Sequence, residues 1–180
     1  MRKIFIASAA ALLMTAGAAH AAATMGGLGF HSGAAPIGIR QWFSEQVAGD
    51  IGIGWNMEKF EDGSGAGTET LTGINLDFGV PICIKKWDKA RFMFRPGFQW
   101  GSFKDKTEPT GGTSTEQTFS MIGGSGELEV EYWLADNISV NASHGLRFNS
   151  AKDKTTDDKF TSFGTTSNNF TDLGLTVYLW

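Results

Sequence analysis

The stretch ELEVEYWLADNISVNASHGLRF (residues 127–148) contains two runs in which apolar and polar side chains alternate. Three glutamates alternate with apolar residues in the first run, and serine and asparagine alternate with isoleucine, valine and alanine in the second. The Ala-Asp-Asn between the runs is a turn, so the stretch predicts a β-hairpin with one apolar face. In a soluble sheet that face is buried, whereas in an outer-membrane barrel it faces lipid and the polar face lines the lumen. The rest of the chain decides between these two arrangements.

The N-terminus has the pattern of a secretory signal. Arg2 and Lys3 precede an apolar stretch, and Ala19-His20-Ala21 fits the small-residue rule for signal-peptidase cleavage. The apolar stretch is too short to span a bilayer comfortably as an anchor. We therefore predict a cleavable signal at residues 1–21 and one barrel domain at residues 22–180.

Composition narrows the fold class. The 180 residues carry 15 basic and 19 acidic side chains, a formal net charge of −4, which gives no indication of nucleic-acid binding. Cys83 is the one cysteine, so no internal disulfide can form. After the signal, no stretch approaches 18 continuous apolar residues, which excludes a helical membrane protein. Glycine, aromatic residues and short alternating runs indicate an all-β protein.

Eight segments show the two-residue period of β-strands. They are residues 26–31, 37–43, 50–60, 71–84, 91–103, 118–134, 138–149 and 171–180. Short connectors (SEQVAG, KKWDKA, ADN) alternate with long polar ones (EDGSGAGTET, KDKTEPTGGTSTEQ and residues 150–170), apart from the first hairpin through SGAAP. Short turns on one rim and long loops on the other are typical of outer-membrane barrels. The prediction is an eight-stranded antiparallel up-and-down transmembrane β-barrel, closed by pairing of the first and last segments.

The same alternation predicts which charged side chains point into the lumen. An eight-stranded barrel is just wide enough inside for side chains to fill it, so the charges should pair with one another as a polar core. Because carboxylates outnumber arginines in this set, we expect some of them to lie near a rim, bind water or titrate. The predicted lumen charge network consists of Arg40, Glu58, Asp77, Arg91, Arg95, Glu127, Glu129, Glu131, Arg147 and Asp172.

Aromatic residues cluster near the predicted turns, and aromatic girdles at both membrane interfaces are expected of such barrels. The predicted girdle beside the short turns is Trp42, Phe43, Trp87, Tyr132, Trp133 and Trp180, and that near the long loops is Phe60, Phe103 and Phe148.

The stretch GLGFHSGAAPIGIRQWFSEQVAGDIGIGW (residues 27–55) resembles small outer-membrane barrels of the OmpA-like and OmpX-like group. The ending DLGLTVYL resembles the assembly signal of such barrels, carried by Asp172, Gly174, Val177 and Leu179. The resemblance implies that the barrel-assembly machinery reads this last strand. The commonest ending of such barrels is a terminal Phe on the apolar face of the strand. This chain departs from it, because Trp180 falls on the polar face of the alternation and Leu179 takes the outward position.

Enzymatic activity is not expected. Some outer-membrane barrels act on lipid A with serine and histidine, but Ser143 and His144 are neighbours of opposite parity and point apart. The His-x-Ser-Asn sequence of the deacylases is absent. No residue spacing indicates a metal site or a cofactor.

The sequence therefore predicts a monomeric protein of the Gram-negative outer membrane, whose partners are membrane lipid, the assembly machinery and an unidentified surface ligand of the long loops. The expected role is structural or one of surface interaction. Two alternatives stay open: a small pore or transporter, and a soluble periplasmic ligand-binding barrel of lipocalin type.

Overall fold

The computed structural model describes residues 25–31, 33–61, 67–165 and 172–179, so the predicted signal segment and Trp180 lie outside the described residues. These residues contain no helix long and apolar enough to cross a membrane. The structure has ten strands: β1 (Gly26–His31), β2 (Ile37–Trp42), β3 (Ala48–Glu61), β4 (Gly67–Gly79), β5 (Ile82–Lys86), β6 (Ala90–Pro109), β7 (Thr115–Ala135), β8 (Ile138–Asp153), β9 (Lys159–Thr165) and β10 (Asp172–Tyr178).

The strands form one closed antiparallel barrel. Around the wall the order is β10-β1-β2-β3-β4-β6-β7-β8, and β10 pairs again with β8 to close the ring. The two remaining strands, β5 and β9, share a place in the ring with another strand. β4 and β5 pair with successive parts of β6, and β9 and β10 pair with successive parts of β8. The break between β4 and β5 falls at Val80 and Pro81, where proline cannot donate a ladder hydrogen bond. The predicted eight-stranded barrel, closed between its first and last segments, is confirmed.

The two faces of the wall differ sharply in polarity. Along β7, Glu127, Glu129 and Glu131 are at most 3% exposed, whereas Leu128 and Val130 are 51% and 45% exposed. The other strands repeat this arrangement, with isoleucine, leucine, phenylalanine and tryptophan outside. The polar face of the hairpin at residues 127–148 is therefore the inner one. Its glutamates lie in the lumen.

The two rims differ in height. On one rim the connections are short, including residues 43–47, 87–89 and 136–137. On the other rim the wall strands continue as β-hairpins: β6 and β7 stay paired out to Thr107 and Thr115. The prediction of a loop over residues 104–117 was wrong in this respect, because a strand without an apolar face lacks the period on which the prediction depends. Three such hairpins (β3–β4, β6–β7 and β8–β9) extend the wall.

Candidate functional site

The site that the fold builds is a network of ion pairs in the lumen. Inward positions of neighbouring strands lie side by side, so the register sets Arg40 beside Asp50 and Arg95 beside Glu127. Strand pairing therefore supplies the first contacts of the network, and closure of the barrel supplies the others.

Arg40 makes the contact that crosses the lumen. Its Nη1 donates to Glu129 Oε1 at 2.6 Å and its Nη2 donates to Glu129 Oε2 at 3.0 Å. Nη2 also donates to Asp50 at 2.8 Å. Strands β2 and β7 lie opposite each other in the ring, and both side chains of the pair are 3% exposed. This bidentate pair joins the two sides of the barrel.

Arg95 is the second centre of the network. It donates to Asp50 from Nε at 3.1 Å and from Nη2 at 2.7 Å, and it also donates to Asp77. Gln99 donates to the other oxygen of Asp77 at 2.8 Å. Asp50 therefore accepts from both Arg40 and Arg95, and it links the two arginines into one network.

Arg147 extends the network toward β10. Its Nη2 lies 3.3 Å from Glu127 and 3.9 Å from Asp172. Ser143 donates to Glu127 at 3.2 Å, and Arg95 lies 3.6 Å from the same carboxylate. Asp172 is the more exposed partner, at 28%, which places this end of the network closer to water.

A second group lies toward the short-turn rim. Glu131 is fully buried and accepts hydrogen bonds from Ser139 at 2.7 Å and from the Tyr178 hydroxyl at 2.6 Å. Trp42 donates to the Tyr178 hydroxyl at 3.1 Å. The guanidinium of Arg91 lies over the Trp42 ring at 4.0 Å and over the Trp133 ring at 4.7 Å. Aromatic rings and hydrogen bonds fill the lumen at this end.

Glycine makes room for the network at one decisive position. A Cβ at Gly79 would overlap the guanidinium of Arg95 and the carboxylate of Asp50. The backbone of β4 therefore approaches the ion pair closely, and no other residue type fits without displacing it.

The β1–β2 connector covers the network from the tall rim. The backbone oxygens of Ala34 and Ala35 lie where a Cβ of Gly54 or Gly52 would stand. Between this connector and the ion pairs is a polar cavity of about 70 Å³. Liquid water takes roughly 30 Å³ per molecule, so the cavity has room for a few waters. His31 lines it and lies inside the wall.

The structure brings together most of the residues that the sequence predicts for the network, with two corrections (Glu58 and Arg91) and one addition (Asp50). Glu58 is exposed, because it lies on the part of β3 beyond the barrel wall, where the inner face meets solvent. Asp50 was missed, although its parity with Gly52 and Gly54 is the signal that could have found it. Arg91 lies apart from the carboxylates and stacks on tryptophan instead.

The predicted aromatic girdle also needs correction. Trp42 is 2% exposed in the lumen, and Trp133 stacks on the ring of Tyr178 inside the barrel. Phe103 points inward over Gly73 and Gly101. Trp87, Tyr132, Phe60 and Phe148 are 45–57% exposed at the outer surface, and Trp180 lies outside the described residues. Parity, rather than nearness to a turn, decides which aromatic side chains face outward.

The residues considered for catalysis and metal binding do not form a site together. Ser143 faces the lumen and is bonded to Glu127, while His144 is exposed on the opposite face. Within the described ranges, no group of three or more His, Cys, Asp or Glu side chains is arranged to hold a metal ion.

No family model matches the sequence, and no curated protein matches it. Solved structures do match. A major outer membrane protein from Thermus thermophilus is 12% identical, with a TM-score of 0.56 over 88% of this chain and 100% of that chain. Ail, the attachment invasion locus protein of Yersinia pestis, in complex with the heparin analogue sucrose octasulfate, is 13% identical, with a TM-score of 0.52 over 87% of this chain and 95% of that chain.

The chain has the fold of the small outer-membrane β-barrels. At these identities the likeness concerns the fold alone.

Removal of Arg95 should destabilise the barrel strongly. Arg95→Met leaves Asp50, Asp77 and Glu127 with fewer cationic partners, and breaking a buried ion pair costs about 3–5 kcal/mol. The free energy of unfolding, measured by urea titration in detergent micelles, should fall by that amount. Lys104→Gln is the matched control, because Lys104 pairs with Glu116 on an exposed hairpin and its loss should cost less than about 1 kcal/mol. Equal losses for the two variants would contradict a stabilising network.

A methyl group added at Gly79 should disturb the same network. Gly79→Ala forces the Arg95 guanidinium away from Asp50, and overpacking of this kind costs about 1–3 kcal/mol. Gly164→Ala is the control, because nothing lies within 4 Å of a Cβ there. Urea titration of both variants checks the prediction, and it fails if Gly79→Ala is as stable as Gly164→Ala.

Proposed function

We propose that this chain is an integral outer-membrane barrel whose lumen is a filled polar core and whose tall-rim hairpins contact molecules outside the cell. The observation that carries the proposal is the inversion of polarity: the outer wall is apolar while arginines and carboxylates pair inside. Ile37, Ile39 and Ile53 are 52–54% exposed on that wall. A contiguous apolar face of this size is a liability in water. In a bilayer it is stable, since a closed barrel also satisfies its own backbone hydrogen bonds.

The filled lumen favours a structural or surface-interaction role over a pore. The Arg40–Glu129 pair spans the lumen, and Trp42, Arg91 and Trp133 stack across its short-turn end. Ions would have to break buried pairs in order to pass.

The hairpins offer the surface for such contacts. The hairpins carry exposed ion pairs, including Lys59–Glu61 at 2.7 Å and Lys104–Glu116 at 2.8 Å. The β8–β9 turn is held by Asp153, whose carboxylate accepts the backbone N–H of Thr155 at 2.7 Å. That hydrogen bond lowers the pKa of Asp153 below its usual range. The turn is therefore ordered by an ionised carboxylate at neutral pH.

The proposal includes the route to the membrane. A signal at residues 1–21 would direct export, and Asp172, Gly174, Val177 and Leu179 on the last strand would present the assembly signal to the barrel-assembly machinery. In the barrel, Val177 pairs with Leu28 and Ile138, and Leu179 is 58% exposed on the outer face. The assembled protein is proposed to be a monomer without a cofactor or catalytic activity.

Gel mobility is the test of this function. The protein should appear in the outer-membrane fraction and should migrate differently with and without boiling in detergent, because a closed barrel resists detergent until it is heated. Planar bilayers containing the folded protein should show no steady single-channel conductance. Steady conductance would favour the pore instead, and a soluble protein without a heat-dependent band would favour a lipocalin-like barrel.

A charge on the outer wall should impair assembly. Ile53→Arg exposes a guanidinium to lipid near the middle of the wall, at a cost of roughly 2–4 kcal/mol. The folded fraction, measured as the heat-dependent band, should fall relative to the unmodified protein. Thr107→Arg, on an exposed hairpin beyond the wall, should assemble normally. Equal assembly of the two variants would contradict a lipid-facing wall.

A further inference from the structure

The short-turn rim contains a second, separate cavity. It has a volume of about 420 Å³ and lies between the β5–β6 turn and the β7–β8 turn. Its volume is within the range of small-molecule sites, about 300–1,000 Å³. The residues that matter for its chemistry are Lys86, Asp88, Lys89, Arg91, Trp133 and Asp136. We name it the rim cavity.

Arg91 is the unusual member of the rim cavity. It is 9% exposed, and its Nη1 is buried without a hydrogen-bond partner. Among the described residues no carboxylate lies within ion-pair distance of it. Its cross-strand neighbour Glu131 accepts hydrogen bonds from Ser139 and Tyr178 through Oε1, and its Oε2 has no hydrogen-bond partner. A buried guanidinium held between two indoles, with Nη1 unbonded and no carboxylate within ion-pair distance, is arranged to receive a further anion from the cavity that it lines.

The cations around Arg91 point to a phosphate. Lys89 lies on the turn at the mouth of the rim cavity, and the turn is fixed by backbone hydrogen bonds from Trp87 to Ala90 and from Trp133 to Lys89, each at 2.8 Å. Lys86 reaches Glu45 only at 3.4 Å in an exposed pair. A guanidinium and two lysines that line one cavity match the oxygens of a phosphodiester.

The carboxylates of the rim cavity and the apolar wall beside it indicate which class of phosphate-bearing ligand fits. Asp88 and Asp136 are exposed, and the structure records no ion pair for either within its described ranges. They could accept an ammonium group beside the phosphate. The outer wall next to the rim cavity is apolar, with Leu134 59% and Tyr132 45% exposed. Acyl chains can therefore lie on the wall while a headgroup enters the cavity.

We propose that the rim cavity binds the headgroup of an amine-bearing glycerophospholipid, with the phosphate at Arg91 and Lys89 and the ammonium at Asp88 and Asp136. The inference rests on the proposed function, because it requires the short-turn rim to lie at the periplasmic leaflet. The bound lipid neutralises Arg91 and fixes the depth of the barrel in the membrane.

The experiment titrates the folded full chain in an uncharged detergent with short-chain phosphatidylethanolamine and measures bound lipid by native mass spectrometry. Phosphatidylglycerol and diacylglycerol serve as comparison lipids. Phosphatidylethanolamine should bind most tightly. Lys89→Gln should weaken its binding severalfold, since it removes a cationic partner of the phosphate. Asp136→Asn should remove the preference over phosphatidylglycerol.

Two controls separate the possible failures. Lys154→Gln makes the same charge change on the opposite rim and should leave binding unchanged, and Arg91→Lys tests the stacked guanidinium while keeping its charge. Each sample is also checked for its heat-dependent band. This inference alone is overturned if the folded protein binds phosphatidylethanolamine no better than diacylglycerol. It is also overturned if Lys89→Gln and Arg91→Lys both bind phosphatidylethanolamine as tightly as the unmodified protein. Equal binding of the two phospholipids with no effect of Asp136→Asn overturns the assignment of the amine. Absence of the band overturns the proposed function.

Discussion

The ion pair between Arg40 and Glu129 is the contact on which the interior depends. It crosses a narrow lumen, so the carboxylates and arginines beside it have to be accommodated around it. Arg40 donates to both Glu129 and Asp50, and Asp50 also accepts from Arg95, so it connects the pair to the rest of the network. Buried pairs of this kind are poor sources of net stability compared with apolar packing, but loss of one partner is costly. The network therefore fixes one arrangement of the wall strands and closes the lumen.

Parity along single strands predicts much of this interior. From the order of residues alone it assigns Arg40, Arg95 and Glu129 to the inner face, and it also assigns Trp42 there. The girdle prediction for Trp42 went against its own parity and was wrong. Glu58 shows where parity is not enough. Its position in the alternation puts it on the inner face of β3, but at its height the wall no longer encloses a lumen. The predicted strand order sets the strand of Arg40 opposite that of Glu129, but their pairing could not be predicted, because it also depends on the heights at which the two side chains lie along the lumen after closure.

The two rims divide the proposed roles between them. On the tall rim, hairpins without an apolar face continue the wall into solvent, where strand pairing maintains their shape and exposed ion pairs line their surface. On the short rim, aromatic rings, Arg91 and the lysines of the β5–β6 turn meet the end of the apolar belt. The proposed contacts outside the cell and the proposed contacts with lipid headgroups thus use separate parts of one barrel.

Tryptophan quenching by brominated lipid tests the inverted polarity of the wall. Trp55 is 67% exposed on the outer face and Trp42 is 2% exposed in the lumen. Variants that keep one of these tryptophans and replace the others with phenylalanine would be assembled in vesicles with bromine in the acyl chains. A lipid-facing outer wall predicts strong quenching of Trp55 and little quenching of Trp42. Strong quenching of Trp42, or none of Trp55, would contradict the inverted polarity.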